Sequence, residues 1–283
     1  MTKRLFLLVM LALTPSSALA QTDRQATQRG AAWLESLSID SVGQQADTIV
    51  ALAAAGRSRQ SLQSRLAAMS GSASSYATTA GGAAKVVLAT VAGGGNPRSL
   101  GGVNYIMRIE RQYAAGRYGA TAYDQAYAML ALRAAGQSVP RAAVTALRAA
   151  RGTGGWGFAL RKANPDDVSA TGLTIEALRA VGVAKGDAAL KGATKWLTAQ
   201  ANTRGGFHID GRRRPTEANS TAIVIRALRA MGRTPSPATR KALRSLQETD
   251  GGFRFTAKTR ESRVLATVDA VLAVSGRRLP PPY

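Results

Sequence analysis

Six apolar stretches alternate with six amphipathic ones along the chain. Segments such as TGLTIEALRAVG, STAIVIRALRAMG and TVDAVLAVSG are apolar on nearly every side. That is the pattern of a helix enclosed by other helices. Between them, 24–37, 59–69, 98–114, 138–150, 186–200 and 236–247 read as helices with one apolar face. Each apolar stretch holds an Ala-Leu or similar pair, then a glycine: Gly56, Gly93, Gly136, Gly182, Gly232 and Gly276. A glycine just past a helix takes the left-handed conformation that stops it. These six glycines lie 37, 43, 46, 50 and 44 residues apart, a period that marks a repeat architecture. Pro140, Pro235 and Pro237 sit near the starts of amphipathic helices, where a missing N–H costs little.

Six hairpins of one outer and one inner helix can stack openly or close into a ring. An open stack needs polar capping repeats at its ends. The terminal inner helices, 47–55 and 264–274, are as apolar as the central ones. The pattern therefore predicts an all-α fold, a closed α/α toroid with an apolar inner ring and an amphipathic outer ring. It forms a single domain over 21–279, followed by an extended Pro-rich tail at 280–283.

Three links from outer to inner helix share a signature. They are Gly154-Gly155-Trp156-Gly157-Phe158, Gly205-Gly206-Phe207-His208 and Gly251-Gly252-Phe253-Arg254-Phe255. Paired glycines permit a tight path, and the following aromatic can plug the helix junction. The run Lys191-Gly192-Ala193-Thr194-Lys195-Trp196-Leu197-Thr198-Ala199-Gln200, followed by Gly205-Gly206-Phe207, closely resembles the QW repeat of squalene and other triterpene cyclases. The resemblance covers most of residues 21–279. It is clear in repeats four to six, weaker in repeat three (Gly116-Arg117-Tyr118-Gly119) and faint in the first two. It implies the α/α toroid of the terpenoid cyclase and protein prenyltransferase superfamily.

The family's chemistry does not transfer with equal force. Class II cyclases carry a DxDD-type acid motif at the start of an inner helix. The matching stretch is Asp167-Val168-Ser169-Ala170-Thr171-Gly172, with Ser169 where the proton-donating acid belongs. A hydroxyl is far too weak an acid to protonate an alkene. Aromatic residues make up 5% of the chain, a thin supply for stabilising carbocations. Prenyltransferase zinc sites and thioester toroids require cysteine, and the chain has none. With one histidine, His208, a two-His metal site is also excluded. We expect no metal and no cofactor.

Two compositional features bear on setting and partners. Lys3 and Arg4 precede an apolar run from Leu5 to Leu13 and the small-x-small triplet Ala18-Leu19-Ala20. This is the form of a secretory signal over 1–20; nine apolar residues fall short of the ~20 that span a bilayer. The expectation is an exported, soluble, monomeric product without a transmembrane segment. The formal net charge is +22, which favours anionic partners; export makes a specific nucleic acid the least natural of them.

The Gly-Gly loops lead into the inner-helix N-termini, so these loops should ring one mouth. Segments 151–166, 204–216 and 250–263 hold eleven basic residues against four acids, with Arg212-Arg213-Arg214 as one run. Helix N-termini with arginines suit carboxylate or phosphate. The expected binding residues are Tyr123, Asp124, Trp156, Phe158, Asp167, Thr171, Phe207, His208, Glu217, Asn219, Phe253, Arg254 and Arg263. For several of these, helix capping or loop packing accounts equally well for the residue type. The sequence reading is an exported, non-catalytic binding protein. Its basic mouth would take an anionic or amphipathic ligand: a lipid, isoprenoid, corrinoid or acidic envelope polymer. Two alternatives stay open, a carbohydrate-active or other hydrolase using Asp167 and Glu217, and an envelope scaffold for protein contacts.

Overall fold

The computed structural model describes residues 15–162 and 165–277. The described residues form twelve α-helices and no sheet. They are α1 (Pro15–Glu35), α2 (Val42–Ala54), α3 (Arg59–Tyr76), α4 (Ala80–Ala92), α5 (Tyr105–Arg111) and α6 (Ala122–Ala134), then α7 (Arg141–Ala149), α8 (Val168–Ala180), α9 (Ala188–Ala199), α10 (Ala218–Ala230), α11 (Pro237–Arg244) and α12 (Arg263–Val274). The even-numbered helices form the inner ring. Each packs on the next, and α12 returns to pack on both α2 and α1. The ring is closed, as the apolar terminal repeats required.

The inner helices bury more than one face. In α8 every residue from Val168 to Leu178 is buried, and in α10 every residue from Ala218 to Leu228. The outer helices bury a stripe: α7 buries Ala143 and Leu147, and α9 buries Leu190, Ala193, Thr194 and Leu197. Five of the six expected stop glycines do take positive φ. In the second repeat Gly94 does so instead, while Gly93 is the C-cap with φ −87°.

Helix boundaries differ from the sequence pattern in places. The third outer helix, expected over 98–114, is confined to α5. Gly101 and Gly102 both have positive φ, which a right-handed helix cannot accommodate. Helix α3 continues to Tyr76, past the expected 69, and its added turns bury Ala73 against the core. Among the described residues α1 covers Pro15–Glu35, so the expected cleavage point after Ala20 falls within a helix. Most of the expected signal, residues 1–14, and the Pro-rich tail lie outside the described residues.

The Gly-Gly-aromatic loops are welded to the helices they enter. Trp156, Phe207 and Phe253 are buried plugs. Their backbone N–H groups donate to Thr171, Thr221 and Thr267 Oγ1 at 2.8, 3.0 and 2.8 Å. In the third repeat Tyr118 N–H donates to Gln125 Oε1 at 2.8 Å, from the equivalent register. The Trp156 indole also donates to Leu147 O at 2.7 Å. On the outer side, Trp196 lies against Gly154 and Trp33 against Gly252, so that any β-carbon on either glycine would strike an indole. The second of these contacts joins the first repeat to the sixth and seals the ring.

Candidate functional site

The first turns of the inner helices surround a cavity of about 420 Å³. Its lining comes from α4, α6, α8, α10 and α12 and from the loops above them. The apolar and aromatic lining residues are Tyr76, Tyr123, Tyr127, Ile209, Ile223, Phe255 and Leu265. The polar groups are Lys85, Asp124, Ser169, Glu217, Asn219, Ser262 and Asp269. Helical spacing explains the set, since side chains four residues apart share a face. Tyr123 and Tyr127, Gly81 and Lys85, Asn219 and Ile223, and Leu265 and Asp269 are four such pairs.

Beneath the cavity an ionic network crosses the ring. Lys85 Nζ pairs with Asp47 Oδ2 at 2.6 Å and lies 5.6 Å from the centre of the Tyr127 ring. Arg226 grips Glu176 with Nε and Nη2, at 3.1 and 2.6 Å, and reaches Asp269 Oδ1 with Nη1 at 3.3 Å. Asn219 Nδ2 donates to Asp269 Oδ2 at 2.7 Å, while its own Oδ1 is buried without a hydrogen-bond partner. Burial pushes the Asp269 carboxyl above its ordinary range, against the pull of Arg226 and Asn219. Burial disfavours the Lys85 charge, but the Asp47 carboxylate outweighs it and holds the amine protonated. The Tyr127 phenol is pushed up to about 12 by burial, so it remains a hydroxyl donor.

Of the expected binding residues, Tyr123, Asp124, Glu217 and Asn219 line this cavity. Phe158 stands at its edge, exposed, with its ring 5.8 Å from that of Tyr123. Trp156, Phe207 and Phe253 do not reach it; each is spent in packing, and Thr171 holds the Trp156 backbone from both sides. Asp167 caps α8 by accepting from Ala170 N–H at 2.5 Å. Burial pushes it up to about 6. Asp166 accepts from Gly154 N–H and so ties the loop. Glu217 accepts from Ile209 N–H at 3.2 Å and lies 3.7 Å from His208 Nε2. Burial raises the Glu217 carboxyl. Ser169 and Ser220 bond each other at 3.0 Å rather than capping their helices.

The basic mouth expected from the sequence is not the rim of this cavity. Arg254, Arg260 and Arg263 converge on Glu248, and Arg263 also pairs with Asp250 and stacks on Trp33, 4.6 Å from its ring centre. Arg212, Arg213 and Arg214 line a separate groove with Arg204 and Lys258. The ionisable lining of the cavity is one lysine against Asp124, Glu217 and Asp269. Arg254, Arg260 and Arg263 were spent on neighbouring acids, while the inner helices brought carboxylates inward. The residues missed from sequence, above all Asp47, Lys85, Glu176, Arg226 and Asp269, do carry a signal: they are charges inside otherwise apolar helices.

No family model matches the sequence, and no curated protein matches it. Solved structures do match the fold. The type II terpene cyclase MstE from Scytonema, in its apo form, superposes with a TM-score of 0.67 at 14% identity, over 90% of this chain and 98% of that one. A variant of the same enzyme in complex with its substrate, geranylgeranyl dihydroxybenzoate, gives 0.66 at 15% identity, over 92% and 98%. The ent-copalyl diphosphate synthase from Streptomyces platensis gives 0.54 at 19% identity, over 83% of this chain and 50% of that one. This chain has the α/α-toroid fold of these terpene cyclase structures.

Proposed function

We propose that the protein is an exported, non-catalytic binding protein that takes one small amphipathic molecule into the toroid cavity. The observation that carries this is the mixed lining: apolar and aromatic side chains together with the polar groups of Lys85, Asn219, Glu217 and Asp269. Cavities of roughly 300–1,000 Å³ with a few convergent polar groups are the usual form of a small-ligand site. The carboxylates outnumber the one lysine, so a carboxylate or phosphate head would be repelled; a hydroxyl or ammonium head fits. The partnerless Asn219 Oδ1 favours a hydrogen-bond donor in that head. The cyclase-like fold supports an isoprenoid-like apolar body by analogy with the geranylgeranyl substrate of MstE. Ser169, in place of the matching acid, supports binding over acid-initiated cyclisation.

The test uses three probes with one body and three heads: decanol, decylamine and decanoate, titrated by calorimetry. The expected order places the alcohol and amine well ahead of the carboxylate. Leu265→Trp, at a half-exposed position on the wall, should abolish binding without unfolding the chain. Tightest binding of decanoate, or equal binding by the tryptophan variant, would overturn the assignment. Native mass spectrometry of protein from its own host's exported fraction then identifies the natural ligand and checks export.

A further inference from the structure

The opposite end of the ring has a different character. The C-terminal ends of α8 and α10, with the residue following Gly276, enclose a pocket of about 90 Å³. Arg179, Arg226, Arg229 and Arg277 line it with one acid, Glu176. That carboxylate is already gripped at both oxygens by Arg226. Both charges of this pair are buried.

The local excess is three positive charges. Helix C-termini offset some of it: Arg179 donates to Ala230 O and Val183 O, and Arg229 to Ala273 O. Each terminus supplies about half a negative charge. With Asp269, which Arg226 also holds, the excess falls to two, and three termini leave about half a positive charge uncompensated. Burial already lowers the Arg229 guanidinium from its ordinary value. A guanidinium carries five N–H donors, and the carbonyl contacts use a minority of them.

We infer that this pocket is a binding site for a small tetrahedral oxyanion, inorganic phosphate or sulfate. Size and charge agree. The volume of about 90 Å³ has room for a tetrahedral oxyanion. Arginine forks suit the oxygens of such an anion. The repeated Ala-Leu-Arg-Ala of α8 and α10 puts Arg179 and Arg229 in the same register on neighbouring helices. Arg226 lies one turn deeper and joins the pocket to Asp269 beside the central cavity.

Sulfate and inorganic phosphate are titrated into the full chain by calorimetry at constant ionic strength, with chloride as the balancing anion. Saturable binding of one anion per chain is expected. The double variant Arg179→Lys/Arg277→Gln should bind about tenfold more weakly or worse, through loss of bidentate contacts. Arg277 is exposed and bonds no helix end, so Arg277→Gln alone serves if the lysine variant loses stability. A Tm that rises linearly with sulfate and equally in all variants would be a bulk salt effect and would overturn the site. So would saturable binding that both variants retain in full.

Discussion

Arg226 ties two buried carboxylates, and its removal can be followed quantitatively. The side chain is 5% exposed, and so is Glu176. Arg226→Met keeps most of the volume but removes three charge-assisted hydrogen bonds. Asp269 retains the Asn219 amide, whereas Glu176 loses both of its Arg226 hydrogen bonds. Breaking a buried pair from one side costs about 3–5 kcal/mol. For a domain of this size, 1 kcal/mol shifts Tm by about 2–4 °C, so the expected fall is roughly 6–20 °C. The deficit must also depend on pH. Burial already raises the Glu176 carboxyl from 4.5, and Arg226 opposes that rise. Without the arginine the folded-state value climbs further. The folded variant then binds a proton that the unfolded chain lacks, between 4.5 and that raised value. Stability is therefore lost as pH rises through the window and regained as it falls. Urea denaturation from pH 4.5 to 8 reads this directly, and Arg226→Met/Glu176→Gln should recover most of the loss at neutral pH. A deficit that is flat with pH, or no recovery in the double variant, would show that Arg226 acts by packing alone.

Two other predictions test the loop and cap chemistry. Thr221→Val orphans the buried Phe207 amide and should cost about 1–3 kcal/mol, with faster hydrogen exchange at Phe207; Thr221→Ser should keep protection, and equal behaviour of the two would refute the bracket. Asp167 is pushed up to about 6 by burial, so its contribution to stability is present below its ordinary 3.8 and is lost as pH rises through 6. Asp167→Asn keeps an acceptor for Ala170 N–H but removes that slope, so its unfolding midpoint should fall less between pH 4 and pH 7 than the parent's does; an unchanged difference would sink the assignment.

The sequence by itself determined the ring. Apolar inner stretches such as 168–178 and 218–228 can be buried all round only if neighbours surround them, and the terminal repeats lack polar caps, so closure follows. Stop glycines, Gly-Gly-aromatic loops and the outer tryptophans were legible because each has a local backbone or packing requirement. Export and the residues before Pro15 remain expectations from composition.

The tertiary structure alone decided the site. Charge counted along the loops pointed to a basic mouth, but whether an arginine faces a ligand depends on where its acids lie. Arg254, Arg260 and Arg263 meet Glu248 across a turn, a pairing that sequence distance does not reveal. Conversely the Lys85–Asp47 and Arg226–Asp269 pairs each join consecutive inner helices, and the two pairs come together because the ring closes α12 onto α2. A repeat pattern fixes which residues each helix turns inward; the charge of the interior is a sum over six helices, and only their closure brings those terms within a few ångströms of one another.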